Sequence, residues 1–370
     1  MLPPASLLLA GAAAKISVLT LDDWRTVQYA TEPRVAPAIL EAVPKSPATP
    51  SKSPTTAPPS RGGVLVAEFA PMEAVLVRYP LGLPASLVAA FSRDIKVVVL
   101  CRGVVQPEAR SVLVGAGAIS QNLTFVDVRT DSYWTRDYGP WYVGSEATGN
   151  WSIVDFDYNR PRPHDNKVSK QLATLWNVPY ANSGLTLTGG NMMGDGKGVG
   201  SATYLVYEDN GCGSTPCATV DDAMKSFYGI DTFLTIADPT GNYIEHMDCW
   251  GKFLSEKDVL VDRPSATSRY RKQYDAAADF FERSGWTVHR VDIAGEDAYS
   301  NSLLLNGKAY VPISASSTPN AADKAALSVY QKALPGFDII GVAADPNHPW
   351  ENTDALHCRT RGLPKAPPVA

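Results

Sequence analysis

Short apolar segments with many β-branched residues alternate with longer amphipathic segments along most of the chain. The β-branched content predicts strands at Ala74–Arg78, Val97–Leu100, Leu123–Val128, Trp151–Asp155, Thr203–Tyr207, Val259–Val261, Thr287–Val291, Ser302–Leu305 and Ala309–Ile313. Apolar residues three and four positions apart predict helices at Pro84–Ser92, Lys167–Trp176, Val220–Tyr228, Ser268–Ser284 and Ala321–Leu334. The alternation indicates an α/β fold, and tight turns such as Asn306-Gly307 argue against a plain doubly wound sheet.

The first sixty residues follow a different pattern. Leu2–Ala14 is apolar and ends in small residues, which is typical of a short secretory signal, although no Lys or Arg precedes it. A frayed apolar terminus is the alternative. Pro44–Ser60 is rich in Pro, Ser and Thr, and such a segment cannot bury a core. The expected organisation is a signal peptide at 1–14, a leader and linker at 15–61, and one folded domain at 62–365.

Composition narrows the classes of partner. The 370 residues are 45% hydrophobic and 19% charged, which is a globular balance. The net charge is −5 and no basic run is present, so we expect no nucleic-acid partner. No apolar run approaches the roughly 20 residues that span a bilayer, so we expect no membrane partner.

The five cysteines favour an oxidising compartment. Cys212 and Cys217 are separated by Gly, Ser, Thr and Pro, which predicts a small disulfide-closed loop and hence a secreted protein. A metal half-site is the alternative, but no second Cys/His pair completes it. The sequons at Asn122 and Asn150 permit glycosylation, although such tripeptides are common by chance.

Four polar segments stand out because they lie where predicted strands or helices end. They read DSYWTRDYGPW, DFDYNRPRPH, YIEHMDCW and DALHCRTR, and span Asp131–Trp141, Asp155–His164, Tyr243–Trp250 and Asp354–Arg361. His246 and Asp248 are two positions apart, so on an extended segment both would point to one face.

Residue types in these segments suggest a thiol-based reaction on a planar cation. Cys358 and His246 are far apart in sequence, as is usual for an activated thiol and its base. Asp137 and Asp248 would hold a guanidinium by forked hydrogen bonds. The pair Arg160 and Arg162, stiffened by the intervening proline, suits a substrate carboxylate.

Each of these residues also has a purely structural interpretation. His246 would then be a core histidine satisfied by Asp248, and Cys358 a buried inert thiol. Arg160 and Arg162 would be a solvated loop, and the aromatic residues around Asp137 part of the core.

The motifs together resemble the Porphyromonas-type peptidylarginine deiminases, which are related to agmatine deiminases within the guanidino-group-modifying superfamily. The resemblance extends over Glu73–Gly362 and includes YWTRDYGPW, LTGGNMMGDGKG, EHMDCWGK and AYSNSLLLNGKAYVPI. It implies that Cys358 is the nucleophile, His246 the proton shuttle, Asp137 and Asp248 the guanidinium ligands, Asn301 an active-site amide and Trp134 a stacking wall for the substrate. Tyr243 and Ile244, beside His246, are also predicted to contact the substrate.

The resemblance further implies a fold and a mechanism. The fold is a five-bladed pseudo-symmetric α/β propeller, the pentein fold, with ββαβ units around a central site. The mechanism passes through a covalent thiouronium on Cys358 and needs no cofactor or metal, so activity is expected to be independent of calcium.

The NRPRP segment directs the choice of substrate. Agmatine has no carboxylate, and agmatine deiminases lack this arginine pair, so Arg160 and Arg162 favour a C-terminal arginine of a peptide or protein. The expected reaction is deimination of that arginine to citrulline and ammonia. The alternatives are an agmatine or free-arginine deiminase and, in another class, a catalytically inactive secreted binding protein, which the retention of Cys358 and His246 disfavours.

Overall fold

A computed structural model describes residues 16–19, 57–59, 63–145, 149–295, 297–314, 318–345, 349–350, 352–365 and 367. The predicted signal peptide and most of the predicted linker lie outside these residues. Residues 16–19, within the expected leader, form a strand that pairs in parallel with residues 339–342. Among the described residues, no helix is long and apolar enough to cross a membrane.

The secondary structure is a mixture of short strands and helices. The strands are β1 (Ile16–Leu19), β2 (Val64–Leu65), β3 (Ala74–Arg78), β4 (Lys96–Cys101), β5 (Leu123–Asp127), β6 (Trp141–Ser145), β7 (Asn150–Tyr158), β8 (Tyr180–Leu187), β9 (Met193–Gly194), β10 (Val199–Thr203), β11 (Thr232–Ile236), β12 (Gly251–Phe253), β13 (Asp258–Pro264), β14 (Thr287–Ile293), β15 (Leu303–Leu305), β16 (Lys308–Ile313), β17 (Asp338–Ala343) and β18 (Arg361–Leu363). The α-helices are α1 (Ala85–Asp94), α2 (Gln106–Gly115), α3 (Thr135–Tyr138), α4 (Val168–Trp176), α5 (Leu205–Glu208), α6 (Ala218–Tyr228), α7 (Arg271–Arg283) and α8 (Ala321–Ala333).

The strands form five separate sheets, and no sheet closes on itself within the described ranges. The strand orders are β18-β3-β4-β5, β2-β6-β7-β8, β9-β10-β11, β12-β13-β14 and β15-β16-β17-β1. Each sheet contains an antiparallel pair followed by a parallel strand. In each sheet a helix lies between the antiparallel pair and the next, parallel strand, so the chain contains five ββαβ units. One of these units combines β18, the last strand in sequence order, with β3, α1 and β4.

Helices pack on these sheets through the apolar face that their sequence spacing predicts. In α7, Tyr274, Ala277, Ala278 and Phe281 are buried at three- and four-residue intervals. They belong to one core cluster with residues of β13 and α8. Burial of such a face, rather than helix propensity, supplies most of the stability of a helix of this length.

One predicted strand is wrong. Thr203–Tyr207 was expected to be extended, but β10 ends at Thr203 and α5 begins at Leu205. The Thr203 hydroxyl donates to Asn191 Oδ1 and to the carbonyl of Glu245, and the amide of Leu205 lies 3.4 Å from it. These side-chain bonds stop the ladder and turn the chain, because a threonine hydroxyl competes with backbone partners.

Candidate active site

Four of the predicted catalytic residues, together with Gly190, lie in equivalent places of the five units. Asp137, Gly190, Asp248, Asn301 and Cys358 all lie in the segment that leads into the first strand of an antiparallel pair, namely β6, β9, β12, β15 and β18. Residues up to 221 positions apart are thereby brought together. Side chains from all five segments are buried.

Asn301 organises the segment that carries Cys358. Its Oδ1 accepts hydrogen bonds from the amides of Ala355, His357 and Cys358 at 3.0, 3.0 and 3.2 Å. Its Nδ2 donates to the carbonyl of Asp248 and to Cys358 Sγ, both at 3.1 Å. Asn301 is fully buried, so removing it would leave several backbone donors unsatisfied.

Asp248 lies between the thiol and a histidine. Its Oδ2 is 3.4 Å from Cys358 Sγ and 2.7 Å from His357 Nδ1. Burial disfavours the carboxylate, but the hydrogen bond and charge of His357, together with His246 and Lys252, hold the pKa of Asp248 below its usual value. Asp248 is therefore ionised at neutral pH and can bind a cation.

Asp137 and His246 complete the site around Gly190. The amide of Gly190 donates to Asp137 Oδ1 at 3.2 Å, and the hydroxyl of Tyr158 donates to Asp137 Oδ2 at 3.1 Å. His246 Nδ1 is 3.8 Å from Asp137 Oδ1 and 3.9 Å from Asp248 Oδ1. The imidazole thus faces both carboxylates that were predicted to bind a guanidinium.

Gly190 marks the point where these side chains approach the backbone. A Cβ added there would lie 2.7 Å from His246 Nδ1, 2.8 Å from Asp137 Oδ1 and 3.0 Å from Asp248 Oδ2. No residue with a side chain fits without moving them, which explains a glycine at this position.

The structure corrects the expected geometry of the histidine motif. Residues Met247–Cys249 form a 3-10 helical turn, so His246 and Asp248 do not alternate along an extended strand. Two residues from other segments hold this turn in place. Asn191 Oδ1 accepts from the amide of Met247, and the hydroxyl of Thr203 in β10 donates to the carbonyl of Glu245. His246 and Asp248 nevertheless face the same site.

The ionisation state of Cys358 depends on its buried surroundings. Burial and the nearby carboxylates of Asp248 and Asp354 raise the pKa of the Cys358 thiol well above its usual value. The thiol is therefore neutral in the protein without ligand. A cation bound between Asp137 and Asp248 would offset that effect, because an opposite charge favours the thiolate.

Glu68 and His357 were missed by the sequence analysis. His357 Nε2 contacts Glu68 Oε2. Glu68 also accepts from Lys252 at 2.9 Å and from the amide of Leu304 at 3.0 Å, and it lies 3.0 Å from Arg136. The position of His357 directly before Cys358 was an available signal, whereas nothing around Glu68 in sequence indicated a role.

Arg162 covers the predicted stacking wall. Its guanidinium lies 4.2 Å over the Trp134 ring, and its Nη1 donates to the Tyr158 hydroxyl at 2.9 Å. Trp134 Nε1 donates to Asp354 Oδ2 at 3.0 Å, which ties the wall to the Cys358 segment. Arg162 is thus linked to Asp137 through Tyr158.

The remaining predicted substrate contacts border this region. Arg160 is half-buried, and its Nη1 lies 3.4 Å from the carbonyl of Asn159. Tyr243 is half-buried too, and its pKa is raised by burial, with Arg160 and Arg162 acting in the opposite direction. Ile244 is partly buried, and its amide donates to Asn242 Oδ1. Tyr243 is thus near enough to both arginines for their charges to affect its pKa.

Cysteines outside the site fall into two groups. Cys212 and Cys217 form a disulfide in the loop before α6, and Cys101 and Cys249 are buried thiols. In the part of the chain that the structure describes, no group of His, Cys, Asp and Glu is arranged to hold a metal ion.

A family assignment follows from comparison with known proteins. The sequence model of the Porphyromonas-type peptidyl-arginine deiminases matches residues 65–364, which include all the site residues above. The chain belongs to this family. Members of the Porphyromonas-type family are deiminases that hydrolyse amidine C–N bonds.

Individual relatives support the same fold for this family member. A Yersinia pseudotuberculosis protein for which agmatine deiminase activity is proposed is 23% identical over 84% of this chain and 97% of its own. A Porphyromonas gingivalis structure, proposed to be an arginine deiminase, has a TM-score of 0.69 at 20% identity and covers 82% of this chain and 99% of its own. The agmatine deiminase of Enterococcus faecalis has a TM-score of 0.69 at 17% identity, covering 85% and 99%.

Proposed function

We propose that this protein hydrolyses the guanidinium of a C-terminal peptidyl arginine to citrulline and ammonia. The observation that carries the proposal is a buried thiol, an imidazole and two carboxylates gathered around one glycine. Two carboxylates, Asp137 and Asp248, that face one imidazole suit a planar cationic substrate. The family assignment supports the same class of reaction.

The residues suit a covalent mechanism. The substrate guanidinium binds between Asp137 and Asp248, and its positive charge lowers the pKa of the Cys358 thiol. The thiol proton passes to His246, and the resulting thiolate attacks the guanidinium carbon. His246 then gives that proton to the departing amino group, which leaves as ammonia. Water, deprotonated by His246, then attacks the thiouronium carbon and releases citrulline with the free thiol.

The five ββαβ units support the further proposal that they form the blades of a five-bladed propeller. Each unit would then contribute the segment before its first strand to a common centre. The pairing of β18 with β3 would close the ring.

The arginine pair carries the proposal on substrate. Arg162 is held by Trp134 and by Tyr158, and Arg160 lies two residues away on a segment stiffened by proline. A terminal carboxylate would gain charge-assisted bonds there. An internal arginine would present a neutral amide, and agmatine would present nothing. The named agmatine deiminases among the relatives keep agmatine as the second candidate.

The test compares kcat/KM for four substrates: a peptide ending in arginine, the same peptide amidated, free arginine and agmatine. For the wild type we expect the free peptide to be preferred. The double variant Arg160→Ala/Arg162→Ala should lose about two to four powers of ten on that peptide and much less on agmatine. Arg93→Ala/Arg102→Ala, which removes two exposed arginines, is the matched control for net charge.

The outcomes separate the candidates. Equal rates on free and amidated peptide would reject the carboxylate clamp, and a preference for agmatine would favour the second candidate. A folded protein that turns over none of the four would support the inactive binding protein.

We also propose that the protein is secreted. The disulfide between Cys212 and Cys217 is favoured in an oxidising compartment. Immunodetection of the protein in culture medium, with a cytosolic protein as a lysis control, tests this.

A further inference from the structure

We propose that Glu68 and His357 form a positioning relay that keeps Asp248 ionised and oriented for the substrate. The proposal rests on the deiminase function proposed above. Neither residue needs to touch the substrate, because both would act through Asp248.

The contacts form one continuous line. His357 Nδ1 lies 2.7 Å from Asp248 Oδ2, and His357 Nε2 contacts Glu68 Oε2. Lys252 and the amide of Leu304 donate to the other oxygen of Glu68. Glu68, His357 and Asp248 are therefore fixed relative to one another. His357 and Asp248 are almost fully buried, at 2% and 0% exposure.

The contacts of His357 determine how many protons the relay holds. Burial opposes ionisation of Glu68, but His357, Lys252 and Arg136 hold its pKa well below the usual value. Both ring nitrogens of His357 face carboxylates, and each of these contacts needs an N–H. Burial, Arg136 and Lys252 outweigh Glu68 and Asp248, so the pKa of His357 lies below its usual value. The two contacts nevertheless call for a proton on each ring nitrogen, so the geometry favours two protons on the unit of one imidazole and two carboxylates.

The line also reaches the nucleophile. Cys358 directly follows His357, and Asn301 Oδ1 accepts from the amides of both. Asp248 Oδ2, which His357 holds, is 3.4 Å from Cys358 Sγ. A displaced His357 would thus disturb the carboxylate that binds the electrophile and the thiol that attacks it.

The sign of the pH effect follows from the surroundings. Among the described residues, the charged or titratable groups that face this unit include Arg136, Lys252, Arg361, His246, Asp137, Cys249 and Cys358. His357 is the strongest of the groups that lower the pKa of Asp248. Without it, Asp248 is protonated at higher pH and loses the cation there. The acid limb of kcat/KM should therefore move to higher pH.

The experiment uses three conservative variants. In His357→Asn the amide nitrogen replaces Nδ1 and can still reach Asp248, whereas in His357→Gln it replaces Nε2 and reaches Glu68 instead. Glu68→Gln removes one charge with little change in shape. We expect kcat/KM to fall roughly ten- to a hundredfold in His357→Gln and Glu68→Gln and less in His357→Asn. The acid limb should rise by about one pH unit in His357→Gln.

The control is His289→Asn, whose shorter amide cannot take the place of Nε2 and so breaks the pair between His289 on β14 and Asp258 on β13. It should keep the wild-type rate and pH profile. Thermal unfolding shows whether each variant is folded. If one variant does not fold, the other two still test the relay.

A second readout does not depend on turnover. The rate at which iodoacetamide alkylates Cys358, followed by mass spectrometry across pH, reports the thiol's surroundings. Loss of His357 leaves Asp248 uncompensated beside the thiol at neutral pH, so alkylation should shift to higher pH in His357→Gln. If the wild type turns over no substrate, the proposed function fails while this readout still tests the relay. Folded His357→Gln and Glu68→Gln proteins with wild-type acid limbs and alkylation profiles would overturn the relay.

Discussion

The segment around Cys358 and the segment around Arg162 are anchored in different ways. Cys358, Asn301 and Asp248 are buried and joined by several hydrogen bonds near 3 Å. Arg160 and Arg162 are half-buried in a loop, and Arg162 is held by the Trp134 and Tyr158 rings and by the Tyr158 hydroxyl. Rigid, satisfied contacts suit a group that must meet a reacting atom, because small displacements there are costly. A recognition segment with few contacts can change with less disturbance to the rest of the site.

The largest effect is expected from a change in the buried segment around Cys358. Cys358→Ala should lose several orders of magnitude in kcat on every substrate, because it removes the covalent nucleophile. The measurement is ammonia release, with thermal unfolding as the check on folding. Cys101→Ala, which removes another buried thiol, is the control. Appreciable turnover by a folded Cys358→Ala protein would contradict the covalent mechanism.

A second prediction tests how tightly the buried site around Gly190 is packed. Gly190→Ala places a methyl group within 3.0 Å of His246, Asp137 and Asp248, so they must move apart. We expect about a hundredfold loss of kcat/KM. Gly115→Ala, where an added Cβ meets nothing, is the matched control and should be active. An active Gly190→Ala enzyme would show that His246, Asp137 and Asp248 can move without loss of activity.

A third prediction addresses the link between the two regions. Tyr158→Phe removes the hydroxyl that joins Arg162 to Asp137. We expect about a tenfold fall in kcat/KM for the peptide ending in arginine. Tyr142→Phe is the control, since its buried hydroxyl has no hydrogen-bond partner within the described residues. The same fall for both variants would mean that the link through Tyr158 carries no specific effect.

The smallest effect on activity is expected far from both regions. Cys212→Ser/Cys217→Ser opens the loop before α6 and should lower the free energy of unfolding by about 2 kcal/mol, on the chain-entropy account of a short loop. Activity at 25 °C should be retained. Urea unfolding with and without reductant measures this, and a wild type insensitive to reductant with both thiols alkylatable would exclude the disulfide.

The sequence allowed most of the regular elements to be predicted where local pattern decides them. Ala74–Arg78 is a strand as expected, and α8 differs from its prediction by one residue. The ends of β10 were missed because the Thr203 hydroxyl, with partners from distant segments, stops the ladder. β11 and β17 were not predicted, although their sequences TFLTI and DIIGVA are rich in β-branched residues; β11 pairs with β10 and β17 with β16.

The site was predictable only to the level of its motifs. Asp137, His246, Asp248, Asn301 and Cys358 stood in recognisable sequences, and the structure brings them together. The contact between Glu68 and His357 joins residues 289 positions apart, which no local spacing reveals. The neutral state of Cys358 arises from burial among carboxylates, so it too requires the folded arrangement.

The pairing of β18 with β3 has a consequence for the order of events during synthesis. On the proposed mechanism, the reactive thiol is among the last parts of the folded domain to leave the ribosome, and its segment is held by Asn301 and by a strand made early. A partly made chain would have Asp137 and the arginine pair but no nucleophile. Translation of nearly the whole domain would therefore be needed before any arginine in the producing cell could be modified.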